Sequence, residues 1–315
     1  WSSDVCSSDL AVIDIGTNSV RLLVAEIVAG QVQPLIRATQ ITRIGQGVDA
    51  SRRLQKDAME RTLRTLENFA NQTPPGVPVQ VLATSAVRDA VNKDEFVHLV
   101  AERTSLELRV LTGAEEAELS FRGAVLALQT RDLSYPVTVV DIGGGSTEIY
   151  TGDAQGNLLG GGSVQVGAVR MLERFITSHP ILETERQAME QEIVELVTPL
   201  VQDNLQYGPQ TLVVVGGTAT TLASILQELT CFDYDKVGGF AFSLKQLVDL
   251  YGKLGRLSLQ ERQQIPTLQA GREDVIISGT SILVQVTELL GFDRLIVSIG
   301  DLLYGSLVLP VDVGK

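Results

Sequence analysis

Residues 139–150 read VVDIGGGSTEIY, and this run constrains the fold more than any other part of the chain. Two valines lead into Asp141, three glycines follow (Gly143, Gly144 and Gly145), and Ser146, Thr147 and Glu148 complete the run. An apolar strand that ends in a carboxylate and meets consecutive glycines must turn tightly. The backbone N–H groups of such a turn can converge on an anion. Glu148, Ile149, Tyr150 and Thr151 read as strand again, so the spacing predicts a β-hairpin and not a loop opening a long helix. No Lys-Ser/Thr pair enters a helix here, which excludes a P-loop. A phosphate fits the turn, and a magnesium ion held by Asp141 or Glu148 fits the hard oxygen ligands beside it. Triple glycine alone would also suit a hairpin with no ligand. The flanking acids and a second copy of the pattern favour the ligand.

That copy is AVIDIGTNSVRLLVAEI, residues 11–27, in which Asp14-Ile15-Gly16 repeats Asp141-Ile142-Gly143. Thr17, Asn18 and Ser19 make the turn, and residues 20–27 are apolar enough for a central strand. A hairpin used twice predicts a duplicated domain, with the two loops facing each other across a cleft. Arg21 lies just inside the second strand, where its fork suits phosphate oxygens, although a surface arginine on a strand is the plainer alternative.

Between and beyond the two hairpins the pattern alternates. An amphipathic helix is expected over residues 55–70, a break at Pro74-Pro75-Gly76 and a strand over 79–84. Arg88 follows that strand's carboxyl end, where ligands of α/β sheets gather, and is a second candidate clamp. A helix over 93–104 and a strand over 106–111 lead to a helix opened by Glu115 and Glu116. Acids in a first turn commonly serve the helix dipole, but either could face a cleft. The polar link before Pro136 marks a domain boundary, giving domains at 11–130 and 131–315. In the second half, Gly167-Ala168-Val169-Arg170 makes a strand-to-helix junction that an anion could contact. A helix over 183–202 precedes Val213-Val214-Val215, which runs into Gly216, Gly217 and Thr218. That turn could hold an anion or nucleotide at a helix N-terminus, or could simply permit close packing. Helices are expected over 243–257, 259–265 and 274–290, the last interrupted by Gly279, and a final strand over 295–298.

The 315 residues suffice for two cores. A net charge of −13 argues against a nucleic-acid partner, and no apolar run reaches the roughly 18 residues that a membrane span needs. Two cysteines give no disulfide framework, so a reducing cytoplasm is the expected setting. Two histidines, His98 and His179, give no zinc cluster. Residues 1–10, WSSDVCSSDL, are polar with no basic leader and read as a non-native remnant.

Taken together, the segments DIGTNSVRLLV, ATSAVRDAVNKDEF, LTGAEEAELSFRGA, VVDIGGGSTEI, SVQVGAVRMLERF, VVGGTATTLASI and AGREDVIISGTSIL resemble, in order, the Ppx/GppA phosphatases. These are the exopolyphosphatases and guanosine pentaphosphate phosphohydrolases of the actin-like ATPase superfamily. The resemblance implies an α/β protein of two ribonuclease-H-like domains flanking a cleft. It implies metal-assisted hydrolysis of a terminal phosphoanhydride, with Mg²⁺ or another hard divalent cation as cofactor. Carried over by position, Asn18, Ser19, Arg21 and Arg88 would bind phosphate from the first domain, and Gly144, Gly145, Ser146 and Thr147 from the second. Asp141 and Glu148 would hold the metal. Glu116 would orient or deprotonate the attacking water, with Glu115 the alternative. Inorganic polyphosphate is the expected substrate, in short chains, and pppGpp the runner-up. A nucleotide-binding sensor with vestigial hydrolysis and a sugar-kinase-like phosphotransferase are further alternatives, and a homodimer is one assembly open to it. The family often shows Gly-Leu-Arg-Glu-Gly near its C-terminus. Here the stretch is Gly300-Asp301-Leu302-Leu303-Tyr304-Gly305, so that Arg and Glu are absent.

Overall fold

The computed structural model describes residues 9–28, 30–129 and 131–308. The chain divides into two compact units, one taking in the chain through Leu126 and again from Leu302, the other Ala127–Asp301.

The first unit runs β1 (Asp9–Ile15), β2 (Ser19–Val28), β3 (Gln31–Ile41), α1 (Val48–Ser51), α2 (Lys56–Gln72), β4 (Val79–Ala83), α3 (Ser85–Asp89), α4 (Lys93–Thr104), β5 (Leu108–Val110) and α5 (Gly113–Leu126). Its sheet has the order β3-β2-β1-β4-β5. The chain enters as an antiparallel meander and crosses over to add β4 and β5 parallel to β1. The nearly unbroken apolar run Ala11, Val12, Ile13 puts β1 at the centre, buried on both faces. β3 carries Pro34 and several exposed polar residues, and it takes the edge, where a missing N–H is harmless. α2 turns Met59, Leu63, Leu66 and Phe69 onto the sheet, the stripe expected of a 3.6-residue period.

The second unit runs β6 (Val137–Ile142), β7 (Thr147–Gly152), β8 (Leu158–Val164), α6 (Ala168–Phe175), α7 (Glu183–Leu205), β9 (Thr211–Val215), α8 (Gly216–Leu226), α9 (Tyr234–Val237), β10 (Ala241–Ser243), α10 (Leu244–Gly255), α11 (Leu259–Gln263), α12 (Val275–Leu290) and β11 (Arg294–Val297). Its order, β10-β11-β9-β6-β7-β8, contains the first unit's plan. Strands β8-β7-β6-β9-β11 repeat β3-β2-β1-β4-β5 with the same parallel and antiparallel pairings, and β10 extends the edge. Both units therefore share one plan, as the repeated hairpin predicts, and it is the ribonuclease-H-like arrangement that the family resemblance implies. α12 is apolar almost all round and is correspondingly buried along its length. Gly279 does not interrupt α12. It lets Thr218 of α8 pack against the helix where a Cβ would not fit. Arg262, fully buried, donates to the carbonyls of Leu254, Leu257 and Glu273 and to Nδ1 of His179. Burial, and secondarily that guanidinium, push the His179 pKa down.

The second domain is expected to run through residue 315. Instead α13 (Leu302–Val308) returns to the first unit and lies on α5 and β1. Leu302, Leu303, Tyr304 and Leu307 are all buried, so the segment needs an apolar partner. Gly305 meets the Leu119 carbonyl so closely that no side chain fits between. The Tyr304 hydroxyl accepts from Arg37, whose guanidinium also lies over the Tyr304 ring at 5.3 Å from its centroid. The N-terminal expectation shifts as well. β1 begins at Asp9, two residues before Ala11, while residues 1–8 of the supposed remnant lie outside the described residues. No helix among the described residues is long and apolar enough to cross a membrane.

Gly305→Ala forces a methyl group onto the Leu119 carbonyl. It is expected to destabilise the protein by about 1–3 kcal/mol, the usual range for overpacking. Urea unfolding followed by circular dichroism measures the loss.

Candidate active site

The two hairpins are built alike. Gly16 N–H donates to Ser19 O at 3.0 Å, and Gly143 N–H donates to Ser146 O at the same 3.0 Å. A Cβ at either glycine would stand 3.2 Å from that serine oxygen, which explains why both turns open on glycine. In each hairpin the aspartate that ends the first strand faces the second strand's partner residue, Asp14 opposite Arg21 and Asp141 opposite Glu148. Directly opposed residues of an antiparallel pair project from the same face, with Cβ atoms about 4.5–5.5 Å apart. The repeats diverge at that partner. In the first, Arg21 Nε and NH2 both grip Asp14 Oδ2, at 3.0 and 2.6 Å. In the second, two carboxylates share the face. Glu148 is 2% exposed, and Ser163 Oγ donates to its Oε1 at 2.6 Å.

The turn carbonyls are engaged by neighbouring donors. In the first unit Asn18 O accepts from Thr42 and Arg43 N–H, and Thr17 O accepts from Gly45 N–H. In the second unit Gly143 O accepts from Ala168 N–H, and Gly144 O accepts from Val169 and Arg170 N–H. Gly145 O accepts from Arg170 Nε at 2.8 Å. Gly167 must be glycine because a Cβ there would overlap the Gly144–Gly145 peptide. The junction read as a possible anion contact therefore directs its N–H groups at the glycine turn. Among the described residues no acceptor receives the N–H groups of Gly144, Gly145 and Ser146. The Asn18 amide nitrogen and oxygen are likewise buried with no hydrogen-bond partner among the described residues. Both turns thus carry polar groups that no described residue satisfies.

The remaining candidates separate. Arg88 NH1, in α3, donates to Glu116 Oε2 at 2.7 Å and to Leu111 O at 3.0 Å. The structure thus brings those two candidates together. Glu115 is the N3 member of a capping box. Its Oε2 accepts from Thr112 N–H and hydroxyl at 2.8 Å each, and Thr112 Oγ1 accepts from Glu115 N–H. Chiefly the Thr112 N–H, then its hydroxyl, with Arg109 helping, hold the Glu115 carboxyl below the usual range. Thr147 is fully buried and donates to Val166 O at 2.5 Å, so its hydroxyl braces the hairpin.

At the third glycine turn, Gly216 has φ +86° and a Cβ there would stand 2.9 Å from Asp141 Oδ1. A Cβ at Gly217 would fall on the guanidinium of Arg272. Both readings of this turn therefore hold in part: the glycines do permit close packing, and what packs on them is a carboxylate and an arginine. Ser163 and Arg272 were not singled out from the sequence. Each becomes visible only when β8 and the segment before α12 come to lie against residues far away in the chain. Among the described residues no three His, Cys, Asp or Glu side chains gather into a metal cage.

The model of the Ppx/GppA phosphatase family matches residues 23–310. The chain is 35% identical to exopolyphosphatase 2 of Mycobacterium tuberculosis (strain CDC 1551 / Oshkosh) over 311 residues, covering 94% of this chain and 96% of that protein. It is also similar to the crystal structure of an exopolyphosphatase-like protein, with a TM-score of 0.89 at 30% identity, covering 96% and 97% of the two chains. An exopolyphosphatase from Cytophaga hutchinsonii superposes with a TM-score of 0.88 at 28% identity, covering 98% of this chain and all of that one.

Two glycine substitutions separate packing on backbone from packing on a side chain. Gly167→Ala presses on the Gly144–Gly145 peptide and is expected to cost about 1–3 kcal/mol. Gly217→Ala displaces only the end of a flexible arginine and gains helix propensity, so stability should change by under about 1 kcal/mol. Chemical denaturation of the two variants side by side tests the contrast.

Proposed function

Because this chain belongs to the Ppx/GppA phosphatase family, we propose that it is a phosphoanhydride hydrolase of the exopolyphosphatase type, releasing orthophosphate from the end of inorganic polyphosphate. The observation that carries this reading is the glycine turn of the second unit. It offers the N–H groups of Gly144, Gly145 and Ser146 beside the paired carboxylates Asp141 and Glu148.

Phosphoryl transfer to water needs charge neutralisation and a positioned nucleophile more than covalent help. The three N–H groups would receive phosphate oxygens, as a backbone nest does. In the first unit Asn18, Ser19 and Arg88 are the matching phosphate ligands. Arg88 suits the part because its Nε and NH2 donate to no acceptor among the described residues. Arg21, already gripping Asp14, acts as the brace of its hairpin. Glu116, 9% exposed and aligned by Arg88, is the base that orients water and accepts its proton. Glu115 is committed to its helix cap and drops out of that role.

Asp141 and Glu148 fit a magnesium ion better than a transition metal. Mg²⁺ takes one or two carboxylates and completes its shell with water and phosphate oxygens, so it needs no protein cage. When bound it would neutralise charge on the phosphates. Ser163 fixes the Glu148 carboxylate from behind.

The runner-up substrate is the terminal phosphate of a guanosine polyphosphate such as pppGpp, hydrolysed at the same site. The glycine turn that opens α8, with Arg272 packed over Gly217, is where the helix N-terminus would meet a further anion.

Orthophosphate release from short polyphosphate, long polyphosphate and pppGpp, with Mg²⁺ and with a chelator, tests both readings. Glu116→Gln is expected to lower turnover by about 10²–10⁴-fold, the usual share of general-base catalysis. Glu115→Ala should keep turnover and lose about 1 kcal/mol of stability with its cap. Equal rates in Glu116→Gln and the parent protein would remove Glu116 from the mechanism. No release from any of the three substrates would remove the hydrolase.

A further inference from the structure

Arg170 stands at the third residue of α6, where it contributes nothing obvious to the helix. Its Nε donates to Gly145 O at 2.8 Å, and its NH2 donates to Gln165 Oε1 at 2.6 Å. The backbone beside it does similar work: the N–H groups of Ala168, Val169 and Arg170 engage the carbonyls of Gly143 and Gly144. Three consecutive turn carbonyls are thus tied to one short stretch of chain.

The consequence follows from peptide geometry. In a trans peptide the N–H of one residue points opposite to the carbonyl of the residue before it. Fixing the carbonyls of Gly143, Gly144 and Gly145 towards α6 therefore aims the N–H groups of Gly144, Gly145 and Ser146 away from it. Glycine imposes almost no preference of its own, so the turn cannot hold that orientation unaided. Backbone donors secure the first two peptides. The third, Gly145–Ser146, is held by the Arg170 side chain.

We propose that Arg170 is a positioning residue for phosphate binding: it locks the Gly145–Ser146 peptide so that the Ser146 N–H joins the nest. This rests on the reading of the turn as a phosphate site. The side chain is well made for the task. A planar guanidinium can bond Gly145 O and Gln165 Oε1 at once, which one ammonium group on a flexible stem does less well. Gly167, Gln165 and Arg170 then form one device: the glycine admits the turn, the arginine clamps it and the glutamine holds the arginine. The direct alternative is that Arg170 itself grips the anion.

Two measurements on Arg170→Met and Gln165→Ala distinguish the possibilities. The first is backbone ¹⁵N relaxation of Gly145 and Ser146 in the ligand-free protein. In Arg170→Met their order parameters should fall from the rigid range near about 0.85 to below about 0.6, with a smaller fall in Gln165→Ala. The second is calorimetric binding of inorganic tripolyphosphate. Its dissociation constant should rise about tenfold in Arg170→Met, as expected for losing a hydrogen bond to a charged group. Weaker binding with an unchanged, rigid turn would make Arg170 a direct ligand and overturn the proposal. A rigid turn with unchanged binding would overturn it as well. If the parent protein does not bind tripolyphosphate, the phosphate-site reading fails and takes the binding role of Arg170 with it. The relaxation data would then still show whether the side chain orders the turn.

Discussion

A turn of three glycines has no conformation of its own, and the candidate site exists because its carbonyls are taken. Every peptide unit of the turn is oriented by a donor from outside it: Ala168, Val169 and Arg170 N–H for Gly143 and Gly144, and the Arg170 guanidinium for Gly145. The first unit solves the same problem with different parts. There Thr42, Arg43 and Gly45 N–H, from the loop after β3, take the carbonyls of Thr17 and Asn18. Because a peptide's two polar ends point in opposite directions, satisfying one end on the protein side presents the other to a ligand. An anion site can be made this way from backbone alone, without a lysine or arginine in its wall. That matters in a chain whose net charge is −13.

Duplication supplied the two hairpins, and one cross-strand position separates them. Opposite the strand-ending aspartate, the first unit has Arg21 and the second has Glu148. The Arg21–Asp14 pair is internally neutral and rigid, a brace for its turn. In the second, two carboxylates share the face, with Glu148 buried and its Oε1 accepting from Ser163 Oγ. The same scaffold thus gives an arginine–carboxylate pair in one copy and a pair of carboxylates in the other.

Close approach recurs around Asp141. Gly216 adopts a left-handed conformation and leaves room for its carboxylate, Gly217 leaves room for Arg272, and Gly279 leaves room for Thr218 behind them. These glycines are far apart in sequence but together let α8 sit against β6 and α12. The helix that delivers Glu116 is bound differently. Glu115 closes its first turn through Thr112, which fixes the direction in which the next side chain leaves the helix.

Much of this was legible in the residues. Asp-Ile-Gly occurring twice, each time before a hydroxyl-bearing turn and an apolar strand, pointed to the hairpins and the duplication, and the family resemblance implied the ribonuclease-H-like plan. Local chemistry dictates the hairpins. The amphipathic spacing of α2 and the glycine-opened turn before α8 were equally plain. Other features depend on which distant segments meet, and no local pattern carries that information. α13 reads as a continuation of the second half, but its apolar surface finds its partner on α5, where Gly305 meets the Leu119 carbonyl. Glu115 and Glu116 are adjacent acids until the fold gives one to Thr112 and the other to Arg88. Thr147 belongs to the motif, yet burial turns its hydroxyl to Val166. The sequence by itself determined where the chain turns tightly, because glycine spacing sets backbone freedom. Only the tertiary structure decided which donors orient that backbone and which partner each acid takes, because those contacts join residues remote in the chain.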